Sequence, residues 1–207
     1  MNTLDLFSLK IYKTKYDQIE EINNIFLNLT EVFQKTKNNN VQSMQDGTLC
    51  SYFTESNLQN ISELTDFVKF AEHHANIYWK QLNYASTLSP KLIQVWANET
   101  PKFGWIRSHL HGSIPLTATL YVNAKPKMGN IVFENPIDSI LISQPMDYNA
   151  QQNIHHELEV TTGDFVIFPG WLRHHVLPNQ LEEKRLILGM HFGAVGSYCT
   201  ENWITKA

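Results

Sequence analysis

From about residue 91 onward the chain is divided into short β-rich segments, and this pattern constrains the fold more than any other feature of the sequence. The segments are KLIQVWA, GWIRSHLH, LTATLYVN, GNIVFEN, SILIS, HHELEVT, DFVIF, LRHHVL and RLILGMHF. They are separated by Pro, Gly, Asn or Asp, which favour turns. Many short strands of this kind are typical of an antiparallel sandwich or barrel. The pattern predicts an all-β core over about residues 91–192.

The part of the chain before this core has helical periodicity. In residues 17–34 one helical face carries Ile19, Ile22, Ile25, Phe26, Leu29, Val32 and Phe33. In residues 57–82 the equivalent face carries Ile61, Leu64, Phe67, Val68, Ala71, Ala75, Tyr78 and Trp79. Two such helices can cover a sheet but cannot form a domain alone. We therefore expect a mainly β, α+β fold, a single domain over residues 1–207 with helical support at about 14–84.

Composition and charge exclude several classes of protein. The net charge is −4 and there is no basic run to follow phosphates, so no nucleic-acid partner is expected. No window reaches the roughly 18 apolar residues of a membrane span. The only cysteines, Cys50 and Cys199, lie far apart, which favours a reducing compartment. We expect a cytoplasmic protein, and the sequence leaves its oligomeric state open.

His109 and His111 are the first sign of a chemical site. Side chains two residues apart in a strand share a face, so the two imidazoles could bind one metal ion. Leu110 is then expected to point the other way, into an apolar layer. The remaining histidines outside this strand and its neighbours are interpreted as structural or surface residues: His73, His74, His155 and His156.

A third imidazole comes from the segment GDFVIFPGWLRHHVLPN. Only one of the adjacent residues His174 and His175 can face inward in an extended chain. Arg173 shares the side of His175 and is most favourably placed in solvent, so His174 is predicted to face inward. Three protein ligands leave coordination positions open for small molecules, as a catalytic metal site requires.

The segment RLILGMHF places Arg185 on one face of a strand, together with Ile187, Gly189 and His191. The opposite face is wholly apolar. An arginine that faces the interior is costly unless it is paired. Two interpretations stay open at this point: the guanidinium lies in water or pairs with Glu182 or Glu183, or it binds the carboxylate of a ligand.

Taken together, these motifs resemble those of the iron(II)/2-oxoglutarate-dependent oxygenases. The order is His-x-His, a strand that ends near Tyr121, G-x-x-x-F, G-D-x-x-x-F-P, His, and Arg eleven residues later. The sequence is similar, more narrowly, to a prolyl-hydroxylase-like group found in marine phages and bacteria. The similarity covers about residues 95–192. It implies a double-stranded β-helix, also called a jelly roll.

The resemblance also implies roles for individual residues. His109, His111 and His174 would be the metal ligands, although the wider superfamily usually has Asp or Glu at the position of His111. Arg185 would bind the far carboxylate of 2-oxoglutarate. Tyr121 shares a strand face with Thr117 and Thr119, so its hydroxyl either contacts a carboxylate of the same cosubstrate or lies at the rim of the barrel. No catalytic residues beyond the metal ligands are implied.

Two positions depart from the group's usual pattern, because Ile187 stands where Ser is common and His191 where Asn is common. The implied enzyme is a 2-oxoglutarate-dependent dioxygenase that uses Fe(II) and O2. It would hydroxylate a small-molecule or peptide substrate while 2-oxoglutarate is decarboxylated to succinate. Substrate contacts would come from the N-terminal helices and from a loop at 136–156.

Two alternatives remain. One is a cupin-type metalloenzyme that does not use 2-oxoglutarate, but the Glu that usually follows its H-x-H is missing from residues 114–119, and a cupin has no need of Arg185. The other is a non-catalytic jelly-roll binding module. Three inward histidines and an inward arginine argue against it, because these groups are costly to bury without a ligand.

Overall fold

The computed structural model describes residues 8–28, 44–45, 48–137 and 154–196. Two α-helices lie in the described part, α1 (Ile19–Asn28) and α2 (Thr65–Gln81), and two 3-10 turns, Leu58–Asn60 and Ser62–Leu64, precede α2. The strands are β1 Tyr12–Lys15, β2 Met44–Gln45, β3 Leu49–Cys50, β4 Leu88–Thr100, β5 Trp105–His109, β6 Leu116–Asn123, β7 Ile131–Glu134, β8 His155–Leu158, β9 Asp164–Pro169, β10 His174–Val176 and β11 Arg185–Gly196.

The strands form two antiparallel sheets. The larger sheet has the order β1-β9-β6-β11-β4-β3 and the smaller sheet the order β2-β5-β10-β7-β8. From β4 to β11 the chain passes repeatedly between the sheets, so that four of these strands lie in each sheet. This connectivity is that of a jelly roll, and the predicted fold class is confirmed.

The amphipathic helices cover the outer face of the larger sheet. One apolar cluster joins Ile22 of α1 and Phe67 of α2 to Leu188 and Phe192 of β11. A second cluster lies between the two sheets and includes Ile187 of the same strand. Since side chains alternate along a strand, β11 places every second residue against the helices and the others toward the space between the sheets.

The predicted helical faces are confirmed where the structure describes them, and the element boundaries differ. Residues 12–15, partly inside the expected helical region, form β1 and pair with β9. This strand is held by ion pairs from Lys13 and Lys15 to Asp164, an interaction that helical periodicity does not reveal. The predicted segment SILIS (139–143) and part of the first helical face lie outside the described residues.

Three further observations bear on the predictions for His74, for the cysteines and for membrane insertion. His74 has a structural contact, because Oη of Tyr12 lies 2.7 Å from its Nδ1. Cys50 is a buried free thiol, and burial raises its pKa to about 12. Neither of the two described helices is long and apolar enough to cross a bilayer.

Candidate active site

A cavity of about 560 Å³ lies between the two sheets, and the exposed side chains of Phe53 and Leu110 lie at its mouth. Its walls come from β3, β4, β5, β6, β7, β10 and β11, together with the turns that follow β3 and β5. Because these strands are far apart in the chain and adjacent in space, the cavity collects side chains from across the β core. All five residues proposed as site residues from the sequence line it: Tyr121, His109, His111, His174 and Arg185.

Three imidazoles converge at the mouth of this cavity. His109 ends β5 and lies opposite His174 of β10, while His111 follows two residues after His109 in the turn. One ring nitrogen from each residue lies within 4.8 Å of the others. The backbone N–H of His111 donates a 2.7 Å hydrogen bond to the carbonyl of Gly170, which holds the turn against the end of β9. The three rings are therefore arranged to surround one small cation.

The prediction for Leu110 is wrong. This side chain is 43% exposed and lines the mouth of the cavity. The prediction assumed that the strand continues through His111, whereas β5 ends at His109 and the chain then turns. Strict alternation no longer applies beyond the last residue of a strand, so Leu110 lies at the exposed edge of the cavity and is not buried in an apolar layer.

The three imidazoles are neutral at pH 7. Burial lowers the pKa of His111 to about 2, with His174, His191 and His109 adding to the effect. Burial likewise lowers the pKa of His174 to about 3, and it lowers the pKa of His109. Neutral imidazole is the form that binds metal, because a protonated ring has no free lone pair.

Backbone carbonyls determine the tautomers of two of these rings. Nδ1 of His109 donates to the carbonyl of Arg107 at 2.8 Å, and Nδ1 of His174 donates to the carbonyl of Leu172 at 2.9 Å. A carbonyl can only accept, so the proton is on Nδ1 and the lone pair of each neutral ring is on Nε2. Hydrogen bonds of this kind orient metal-binding histidines in proteins.

A fourth histidine, His191, belongs to the site and was not predicted as a site residue. Its Nε2 lies 2.7 Å from Nδ1 of His111, and its Nδ1 lies 2.9 Å from Oε1 of Gln94. Burial lowers the pKa of His191 to about 4. The alternation of β11 places His191 on the same face as Arg185, and this shared face was the sequence feature that could have identified His191 as a site residue.

Arg185 lies inside the protein with 1% of its surface exposed. One terminal nitrogen donates to the carbonyls of Met128 (2.9 Å) and Gly129 (2.7 Å), and the other donates to Oγ1 of Thr100 (3.3 Å). Its Nε has no protein partner. Burial lowers the pKa of the guanidinium to about 10, so it remains a cation at pH 7.

The alternative that Arg185 lies in water or pairs with a nearby glutamate is wrong. Glu182 pairs with Lys102 and Glu183 with Lys125, both at the surface. Among the described residues no carboxylate forms a salt bridge with Arg185. A buried cation without an anion is costly, because neutral carbonyls offset only part of its lost hydration.

Two more polar side chains line the cavity. Tyr121 is 2% exposed, and burial raises the pKa of its phenol although the nearby Arg185 cation opposes the rise. Asn98 of β4 is 3% exposed, and its Oδ1 has no hydrogen-bond partner in the protein. The sequence did not indicate Asn98. Buried polar groups without a partner are rare in proteins and indicate a missing ligand or water.

The prediction that His155 and His156 are surface residues is confirmed. His155 and His156 of β8 are exposed, and neither lines the cavity. His175 faces away from the cavity, with Nδ1 3.1 Å from a carboxylate oxygen of Glu134. Arg173 is exposed, as expected. Residues 138–153 of the predicted substrate loop lie outside the described part of the chain.

Residues 94–190, which contain the five predicted site residues and Asn98 but not His191, match the family model described as "Putative 2OG-Fe(II) oxygenase". The chain therefore matches the 2OG-Fe(II) oxygenase family over its β core, and that family depends on Fe(II) and 2-oxoglutarate. No curated protein sequence matches the chain.

Solved structures share the fold of this chain at low sequence identity. A Pseudomonas putida prolyl-4-hydroxylase is 15% identical, covers 91% of this chain and 94% of its own, and gives a TM-score of 0.61. The α-ketoglutarate-dependent epimerase SnoN from nogalamycin biosynthesis is 12% identical over 91% of this chain and 80% of its own, with a TM-score of 0.59. HygX from Streptomyces hygroscopicus, solved with nickel and 2-oxoglutarate, is 10% identical over 89% of this chain and 83% of its own, at a TM-score of 0.56.

The residues of this cavity fit both a divalent metal ion and 2-oxoglutarate on physical grounds. Three neutral imidazoles are a suitable donor set for a first-row divalent metal. The buried Arg185 cation has an unpartnered Nε and no carboxylate partner in the described chain, as expected of a site for an anionic ligand. The two features line one cavity.

Proposed function

We propose that this protein is an Fe(II)- and 2-oxoglutarate-dependent hydroxylase whose iron is held by His109, His111 and His174. In this proposal Arg185 binds the far carboxylate of 2-oxoglutarate. The supporting observation is the presence, in one cavity, of three clustered neutral imidazoles and a buried guanidinium without a carboxylate partner. When bound, the iron would activate O2, which is the oxidant: one oxygen atom would enter succinate as 2-oxoglutarate loses CO2, and the other would enter a C–H bond of the substrate as a hydroxyl group.

The protein contributes binding and orientation. His109 and His174 present their Nε2 lone pairs because their Nδ1 protons are held by backbone carbonyls. The guanidinium of Arg185 is held by Met128, Gly129 and Thr100, so its position is set before a ligand arrives. A preorganised cation attracts a carboxylate without a further cost in side-chain entropy. Tyr121, and Asn98 with its unpartnered Oδ1, would complete the polar wall around the cosubstrate.

The substrate would enter through the mouth of the cavity. Phe53 and Leu110 line this mouth and are 68% and 43% exposed. Exposed apolar side chains around a cavity are typical of ligand-binding sites. We therefore propose a small-molecule or peptide substrate with an apolar part that contacts these two residues.

The whole chain is proposed to be one oxygenase domain. Helix α2 contributes Phe67, Ala71 and Tyr78 to the same apolar cluster as strand β11. Removing the helices would expose this side of the larger sheet. The helical and β parts are therefore expected to unfold together.

The decisive experiment measures 2-oxoglutarate binding by isothermal titration calorimetry, without O2, to protein loaded with Mn(II) and to metal-free protein. We expect binding only with the metal, and Arg185→Gln should weaken it by at least about tenfold because a charged hydrogen bond contributes about 1.5–3 kcal/mol. Lys184→Gln is the matched control, since this neighbour pairs with Glu99 at the surface. In air, with Fe(II) and ascorbate, wild-type protein should form succinate.

The alternatives give different results. A cupin-type metalloenzyme would bind Mn(II) but not 2-oxoglutarate. A non-catalytic module would bind neither Mn(II) nor 2-oxoglutarate, or it would bind both and form no succinate in the presence of any candidate peptide or metabolite. If Arg185→Gln bound 2-oxoglutarate as tightly as wild type while keeping its metal affinity, the assignment of Arg185 would be wrong.

A further inference from the structure

The third imidazole of the cluster is oriented differently from the other two. His109 and His174 each donate from Nδ1 to a backbone carbonyl, which accepts and never donates. Nδ1 of His111 instead faces Nε2 of His191 at 2.7 Å. A neutral imidazole can donate or accept at either nitrogen, so this contact alone leaves the tautomer of His111 undetermined.

The other nitrogen of His191 removes this ambiguity. Its Nδ1 lies 2.9 Å from Oε1 of Gln94, which is directly opposite on strand β4. An amide oxygen only accepts, so Nδ1 of His191 carries the proton and Nε2 has the lone pair. Nδ1 of His111 must then be the donor, which leaves Nε2 of His111 as the free lone pair.

We infer that Gln94 and His191 form a positioning pair that holds His111 in its metal-binding tautomer. Gln94 accepts from His191, and His191 accepts from His111. All three imidazoles then present Nε2 lone pairs to the cavity. This inference rests on the proposed function, because His111 is treated as a metal ligand. His191 acts through His111 and is a positioning residue, not a ligand.

The surroundings of His191 support a fixed orientation. The ring of Trp96 contacts it edge to face with centroids 4.7 Å apart, and the ring of Tyr52 does so at 5.8 Å. His191 is 3% exposed. A ring held between two aromatic side chains and hydrogen-bonded at both nitrogens has little freedom to rotate, so its acceptor stays directed at His111.

A direct test is long-range 1H–15N correlation NMR of metal-free wild-type protein labelled with 15N-histidine at pH 7. The splitting pattern identifies which nitrogen of each ring carries the proton. We expect the proton on Nδ1 of His111 and on Nδ1 of His191. A proton on Nε2 of His111 in the wild-type spectrum would overturn the inference, whether or not any metal binds.

Variants test the consequence for the metal. His191→Phe keeps a flat ring but removes the acceptor, and it should lower the Nδ1–H population of His111. It should also weaken Co(II) affinity by about 10- to 100-fold, the usual cost of losing a group that orients a metal ligand. His191→Asn provides an amide oxygen as acceptor and should restore most of both properties. A His191→Phe protein with wild-type tautomer and Co(II) affinity would contradict the inference.

The test is separable from that of the proposed function. If wild-type protein fails to bind Co(II) or Mn(II), the proposed function fails, but the wild-type spectrum still decides the tautomer of His111. If the metal binds and the spectrum places the proton on Nε2, the proposed function survives and the positioning pair does not.

Discussion

His109 and His174 lie directly opposite each other on the antiparallel strands β5 and β10, and their ring centroids are 4.3 Å apart. Opposite residues of an antiparallel pair have Cβ atoms within about 5.5 Å, so the strand register alone brings these two rings together. His111 joins them from the turn that follows β5. The proposed metal site therefore depends on one register between two strands that are 65 residues apart in the chain.

The first prediction concerns this pair. His174→Ala removes one of three nitrogens and should weaken Co(II) or Mn(II) binding by more than about 100-fold, beyond the cost of losing an outer hydrogen bond. His175→Ala is the control, because the ring of His175 faces Glu134 on the other side of the strand. Isothermal titration calorimetry measures both. Equal metal affinities of the two variants would show that His174 is not a ligand.

The second prediction concerns Gly189, which lies under the ring of Trp96. A Cβ at this position would come within 2.3 Å of Cε2 of Trp96, so Gly189→Ala must displace the indole. Overpacking of this kind costs about 1–3 kcal/mol of unfolding free energy. Because Trp96 contacts His191, the variant should also bind Co(II) more weakly.

Gly193→Ala on the same strand is the control for Gly189. The nearest atom to its new Cβ would be Cγ2 of Ile93 at 3.2 Å, a side chain that is 45% exposed and can shift. Urea unfolding should show a much smaller loss of unfolding free energy for Gly193→Ala than for Gly189→Ala. Similar losses for both variants would mean that the Trp96 contact is not the cause.

The third prediction concerns the carbonyl groups that hold Arg185. Gly129 has φ +89°, and a Cβ there would come within 1.9 Å of the carbonyl oxygen of Leu177 and 2.8 Å of Arg185. Gly129→Ala should therefore lower the unfolding free energy and weaken 2-oxoglutarate binding. Gly112→Ala separates the cost of the positive φ from the cost of the steric clash with Leu177. Gly112 has φ +61°, but no atom lies within 4 Å of its new Cβ.

The backbone cost of a left-handed non-glycine residue is about 1–2 kcal/mol, and Gly112→Ala should show only this part in urea unfolding. Gly129→Ala should lower the free energy of unfolding by clearly more, since the backbone of Leu177 must also move. If the two variants lowered the free energy of unfolding equally, the close packing around Gly129 would not contribute to the effect of Gly129→Ala.

The fourth prediction is a pH dependence that arises at Asp164, which joins β1 to β9. Burial opposes ionisation of this carboxyl, but the Thr161 N–H and the ammonium groups of Lys13 and Lys15 outweigh burial and hold its pKa below 3.8. As the pH falls, the unfolded chain binds the proton first. The stabilisation is therefore complete above pH 3.8 and is lost as the pH falls through the lower folded pKa.

Asp164→Asn should lower the unfolding free energy at pH 7 by about 1 kcal/mol or more, because a buried charged acceptor is lost. The difference from wild type should shrink as urea unfolding is repeated below pH 3.8. Asp66→Asn is the control, since its pair with Lys69 is exposed on both sides and should contribute roughly 0.5 kcal/mol or less. A difference that does not change with pH would exclude the carboxylate as its origin.

Local geometry explains which features could be predicted from the sequence. The side-chain period of a strand is set by its own backbone, so β11 could be divided into an apolar face and a face with Arg185, Ile187, Gly189 and His191. The inward orientation of His174 followed from the same alternation. Leu110 shows the limit of this reasoning, because alternation ends where β5 ends, and a turn replaces the expected strand.

Only the tertiary structure decided which residues meet across strands. The contact between His191 and His111 joins positions 80 residues apart, and that between His191 and Gln94 joins positions 97 apart. The carbonyls of Met128 and Gly129 that hold Arg185 have no sequence signature, because every residue has a carbonyl. Register between distant strands depends on turns and packing along the whole chain. The sequence by itself therefore determined the residue types and the face on which each lies, and the folded structure determined their partners.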